Sequence, residues 1–124
     1  MASLPRPEVH DAPTMMRDLR WSQSEKAVAR RAFDLALQRE FDQVIQEAKQ
    51  RAARIEQPSD LWELELYLTE RRKEIDREYD YRYSVLPMVF AVLMQKGRLR
   101  EEDLQGLAEE KLEYIRRLGV VRFS

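Results

Sequence analysis

Ser22-Gln23-Ser24-Glu25 opens a stretch that no proline or glycine interrupts until Pro58. Serine followed three places later by glutamate makes a capping box. The hydroxyl takes an orphan amide of the first turn, and the carboxylate reaches back to the serine N–H. Trp21 stands just before it, where a staple residue belongs. Beyond the cap, Phe33, Leu37, Phe41, Val44, Ala48, Ala52 and Ile55 recur at steps of four, four, three, four, four and three, and Ile45 widens the row. That spacing predicts a helix over 22–56 with a coiled-coil-like seam. At 1.5 Å per residue such a helix is about 50 Å long, whereas a compact domain of this length is only about 30–35 Å across. The helix must bend or project beyond its own domain. A projecting apolar seam needs a partner, and the simplest one is a second copy of the chain. A homodimer is therefore expected.

Pro58-Ser59-Asp60 reads as the turn, with Ser59 or Asp60 capping a second helix that runs to about Tyr81. The short connection makes the two helices antiparallel neighbours. Leu61, Leu64, Leu68, Ile75 and Tyr79 form an apolar stripe on the second helix, and position 72 on that stripe is Arg72. Three roles stand open for Arg72. It can lay its stem along the seam with its head in water, pair with Asp76 one turn on, or cross a subunit boundary to meet Trp62 of a second chain. Trp62, beside the stripe, has the residue type and placement of a buried interface anchor.

Tyr79, Tyr81 and Tyr83 follow, with Arg82 between two of them, and read as a solvated helix junction. Ser84 is positioned to cap a third helix, with Pro87 in its first turn. Val85 to Met94 is apolar on nearly every side, which places that helix at the centre of a core, and Gly97 ends it in the left-handed conformation. A last helix, about Glu101 to Leu118, shows Leu104, Ala108, Leu112 and Ile115 on one face and closes at Gly119. The expected fold is all-α with four helices. A long antiparallel hairpin forms a stalk, and two shorter helices form a head. Residues 1–20, with Pro5, Pro7 and Pro13, read as a flexible N-terminal arm, although Met15, Met16 and Leu19 could dock. Residues 21–124 make a single domain.

Composition removes whole classes of function. The chain has no cysteine and one histidine, His10, among the prolines of the arm. Thiolate metal sites, zinc clusters and Ser-His-Asp triads lack raw material, so no catalytic residue, metal or cofactor is expected. The net charge of −1 offers no general field for nucleic acid. Acids and bases mix on the polar faces, which argues against a membrane-surface role. The longest apolar run, 85–94, is half what a membrane crossing requires. No signal peptide is recognisable at the start, and a cytoplasmic location is expected.

Specific segments carry a resemblance. Trp21 to Gln23 (WSQ), Gln38 to Asp42 (QREFD), Asp60 to Leu64 (DLWEL), Arg72 to Arg82 (R-x-EID-x-x-YD-x-R) and Ser84 to Ala91 (SV-x-x-x-VFA) together resemble the cyanobacterial fluorescence recovery proteins over roughly residues 21–118. The resemblance implies an all-α dimer joined through its long helices, with no cofactor and no covalent chemistry. It also implies a partner, the light-activated red form of the orange carotenoid protein. The family speeds that protein's return to the resting orange form, which ends energy quenching at the phycobilisome. Positions matching Trp62 and Arg72 are associated in the family with the dimer interface and with activity, and the expected interface set is Phe41, Ile45, Leu61, Trp62, Arg72 and Phe90. Glu65 and Leu66 stand where the family often has a His-Asp pair, and Met88 and Tyr114 replace a head phenylalanine and a late lysine. Those departures support an alternative: a dimeric helical adaptor of the same family with a different protein partner.

Overall fold

The structure, a computed structural model, describes residues 19–123, with side chains described through Gly119. His10, Met15, Met16 and the rest of the expected arm over 1–18 lie outside the described residues. Four α-helices are present among those described: α1 (Gln23–Ala53), α2 (Pro58–Glu78), α3 (Leu86–Gln95) and α4 (Glu109–Phe123). A 3₁₀ turn, Glu101–Leu104, lies between the last two. The all-α expectation holds.

The α1 cap forms as its sequence dictates. Ser22 Oγ accepts the Glu25 N–H at 3.1 Å, and Glu25 Oε1 accepts the Ser22 N–H at 3.0 Å. Trp21 packs on the Tyr83 ring, with centroids 5.5 Å apart. At 31 residues, α1 is about 46 Å long. Its N-terminal half enters the head and its C-terminal half pairs with α2.

Several boundaries differ from expectation. Gln57, rather than Ser59 or Asp60, is the N-cap of α2, and Pro58 takes the first helical position. A proline there loses nothing, because that N–H has no intrahelical acceptor. Asp60 sits three places in and accepts the N–H groups of Glu56 and Gln57 at 2.9 and 3.2 Å. Val85, rather than Ser84, precedes α3, and no side chain caps it. The expected fourth helix is split into the 3₁₀ turn and α4. Gly106, at φ +112°, lies in the break, and Glu25 holds its far side. Besides closing its own cap, its carboxylate accepts the Ala108 N–H at 2.8 Å, which fixes the start of α4 against α1. Gly119 does not end α4, which runs on to Phe123.

Gly97 does end α3. It sits at φ +81°, and the Arg98 and Gly97 N–H groups bond back to the carbonyls of Leu93 and Met94 at 2.8 and 3.0 Å. This is the paired closure that a left-handed residue after the C-cap permits. Gly106, at φ +112°, lets the turn before α4 lie on α1. A Cβ there would come within 2.7 Å of Val28 Cγ2.

The core lies in the head. Val28, Ala29, Ala32, Phe33 and Ala36 of α1 meet Leu86, Val89, Phe90, Ala91 and Leu93 of α3 and Tyr114, Ile115 and Leu118 of α4. Leu19 also packs on this core, and the Arg20 carbonyl accepts from buried Lys111, so these two residues join the head rather than an arm. The tyrosines are packed, not solvated. Phe33 meets Tyr79 and Tyr81 edge-on at 5.5 and 4.9 Å, Tyr81 meets Tyr83 at 5.5 Å, and the Arg30 guanidinium stands 4.2 Å from the Tyr81 ring centre.

Candidate functional site

The helical hairpin separates its polar and apolar side chains in an unusual way. The face of α2 that meets α1 carries Leu64, Tyr67, Arg71, Glu74 and Ile75, and of the residues of α2 only Ile75 is buried. Its contacts are largely polar. Arg51 stacks 4.3 Å from the Tyr67 ring centre, and Arg71 pairs with Glu40 and Glu74. Several large apolar residues are exposed among the charged ones (Glu63, Glu65, Glu70, Lys73, Asp76 and Arg77 of α2): Phe41 and Ile45 of α1, and Leu61, Trp62, Leu66 and Leu68 of α2. Trp62 is 64% exposed and Leu66 61%. At 100° per residue, Trp62 stands opposite the inner face, Leu66 follows one turn on, and Leu61, Leu68 and Arg72 line a flank.

Two grooves mark that flank. One, of about 220 Å³, is lined by Phe41 and Val44 from α1 and by Leu68, Arg71, Arg72 and Ile75 from α2. The other, of about 530 Å³, is lined by Leu61, Leu64, Leu68 and Arg72. Arg72 borders both. Its side chain is exposed and forms no ion pair among the described residues, so the pairing with Asp76 is not made. An unpaired guanidinium on an apolar flank can donate up to five hydrogen bonds to an incoming surface.

Of the six interface residues read from the sequence, Phe41 and Arg72 share one groove, Leu61 joins Arg72 in the other, and Ile45 and Trp62 are exposed on the same hairpin. Phe90 is the exception and needs correcting. It is completely buried in the head core, because it lies on the side of α3 that packs with Leu86, Ala91 and Leu93 against α1 and α4. It has no surface to offer a partner. Of the departures noted above, Tyr114 is also buried and Met88 packs partly against the head core.

The sequence reading missed a buried charge cluster at the junction of hairpin and head. Glu40 of α1 is fully buried. It accepts hydrogen bonds from Arg71, from Tyr79 Oη at 2.9 Å and from Arg98 Nε at 3.0 Å, with Lys96 Nζ at 3.4 Å. Burial pushes this carboxyl up, but the bonds from Arg71, Arg98 and Tyr79 and the charge of Lys96 outweigh it and hold the group down at about 2. Tyr79 is driven the opposite way, by burial and by its bond to Glu40. The signal lay in spacing: Glu40 continues the row Ala29, Ala32, Phe33, Ala36 that faces the core.

Among the described residues no group of three or more acidic, histidine or cysteine side chains is placed to hold a metal ion, and no helix is long and apolar enough to cross a membrane. Comparison with known proteins finds relatives of this fold. Residues 21–119 match the family model described as photoprotection regulator fluorescence recovery protein. The chain belongs to the fluorescence recovery protein family. It is 41% identical over 99 residues to the fluorescence recovery protein of Synechocystis sp., an alignment covering 80% of this chain and 91% of that protein. The structure of the Fremyella diplosiphon fluorescence recovery protein superposes with a TM-score of 0.78 at 42% identity, covering 82% of this chain and 99% of that one. The Synechocystis structure does so with the same score and coverage at 40% identity. The matched region holds the whole hairpin and most of the described head, so both the exposed flank and the Glu40 cluster lie inside the family domain.

Proposed function

We propose that this member of the fluorescence recovery protein family is a cytoplasmic, non-enzymatic homodimer without a cofactor. It binds the photoactivated orange carotenoid protein and accelerates its return to the resting form, ending fluorescence quenching at the phycobilisome. The observation that carries the reading is the exposure of large apolar side chains on the hairpin, with Leu61, Leu68 and the unpaired Arg72 on one flank and Trp62 on the side away from α1. Such a surface suits association of two hairpins, with aromatic and arginine side chains as anchors. A regulator of this kind needs no chemistry. Binding more tightly to a conformation on the return path than to the activated form lowers the barrier to relaxation.

The test follows decay of the red absorbance of photoactivated carotenoid protein in darkness, with and without this protein at substoichiometric amounts. Acceleration supports the reading. Trp62→Ala should shift dimer toward monomer in sedimentation, and Arg72→Leu should keep the fold while slowing the recovery it drives. An unchanged sedimentation coefficient for Trp62→Ala would refute its place in the dimer contact. An intact dimer that leaves the decay unchanged would favour a family adaptor with another protein partner. Leu66 is the observation behind that second reading, since it puts an exposed apolar side chain one turn from Trp62.

A further inference from the structure

The head core takes no buried residue from α2. On α1 it stops at Ala36, and Ile75, the buried apolar residue of α2, lies outside it. Between Ala36 and the exposed flank sits Glu40, one turn farther along α1. Its donors come from separate segments. Arg71 belongs to α2, Tyr79 closes α2, and Lys96 and Arg98 follow α3. Glu74 on Arg71 and Glu78 on Lys96, the latter at 2.6 Å, complete the charges that face this point.

A buried ionic cluster adds little net stability compared with an apolar replacement, because desolvation cancels much of the attraction. What it does supply is geometry. Sliding or rotating α2 by one residue would leave Glu40 buried and short of its donors, which is a heavily penalised arrangement. The register it selects also builds the first groove, which draws Phe41 and Val44 from α1 and Leu68, Arg72 and Ile75 from α2, with Arg71 in its wall.

We propose that Glu40 is a positioning residue, a buried ionic pin that sets the register of α2 on α1 and independently ties down the turn after α3. The outer flank, including Arg72 beside Arg71, is then assembled by a charge that no binding partner touches. The pin has two arms that can be cut one at a time. Cutting one should loosen only its own segment, whatever partner the flank serves.

Hydrogen exchange followed by mass spectrometry on the full chain reads this directly. Arg71→Met should speed exchange of the α2 amides over 64–78 about tenfold or more, the scale of a lost charge-assisted hydrogen bond, with α3 and α4 unchanged. Arg98→Met should speed exchange over 93–100 and leave α2 alone, Glu40→Gln should do both, and Arg71→Lys should recover part of the α2 protection. Trp62→Ala, which leaves the pin intact, is the control for loosening that comes from lost self-association. Loosening that spreads equally through α3 and α4 in the single-arm variants would overturn the proposal. So would their failure to fold, or α2 protection that none of them changes.

Discussion

Acid should undo the Glu40 pin, and the size of the effect follows from its surroundings. The carboxyl is held at about 2, against 4.5 for an unperturbed glutamate, because bonds from Arg71, Arg98 and Tyr79 prevail over the cost of burial. A group whose folded-state pKa is depressed contributes stability above its unfolded pKa and loses it as pH falls through the folded value. At 1.36 kcal/mol per pH unit, Glu40 accounts for about 3 kcal/mol, present above about pH 4.5 and lost progressively toward pH 2. Against a typical domain stability of about 5–15 kcal/mol that is a large share. The assay is urea unfolding at fixed protein concentration from pH 6 to pH 2, on wild type and Glu40→Gln. At pH 6 the variant should be weaker by about 3–5 kcal/mol, the cost of breaking a buried ion pair. Protonated Glu40 is as neutral as glutamine, so the gap should close as pH falls from 4.5 to 2. Glu25 and Asp103, whose pKa values are also lowered, titrate in both proteins and cancel in the difference. A gap that stays constant from pH 6 to pH 2 would refute the reasoning.

Phe90→Ala removes a fully buried aromatic from the head core and should cost about 3–5 kcal/mol in urea unfolding. Where the variant is folded it should sediment as wild type does, and a change of oligomeric state without lost stability would restore Phe90 to the interface. The glycines give a paired test. Gly119 lies within α4 with open space where a Cβ would stand, so Gly119→Ala should raise stability by about 0.5–1 kcal/mol. Gly97 has the same open space but φ +81°, so Gly97→Ala should lower stability by about 1–2 kcal/mol, the penalty of a side chain in the left-handed region. The melting temperatures should move in opposite directions.

The two glycines also show what the sequence could disclose. The ends of α1 and α3 were legible because their signals are local: a capping box at Ser22 and a left-handed stop at Gly97 need only a few neighbouring residues. Gly119 carried the same residue signal and was misread, because α4 runs on through it. The break before α4 had one local signal, Gly106, which was passed over, and one distant support, the Glu25 carboxylate, 83 positions upstream of Ala108.

The inner face of the hairpin was harder still, since periodicity assumes that apolar residues mark the side facing the rest of the chain. Here that assumption holds only in part along α2. Of its stripe, Leu64, Ile75 and Tyr79 face the rest of the chain, but Leu61, Leu68 and Arg72 are exposed, while Arg71, one residue and 100° from Arg72, turns inward to a carboxylate. Phe41, Ile45, Leu61 and Trp62 are apolar residues that the chain does not cover by itself, and Arg72 is exposed on the same hairpin. Phe90 was misplaced because apolar character on every side of a short helix signals enclosure by its own domain, not exposure to a partner. In the hairpin, then, the Arg71–Glu40 pair faces inward while several large apolar side chains stay exposed. Changes to the outer stripe should leave the helices folded, whereas changes to the inner charges should move the stripe itself.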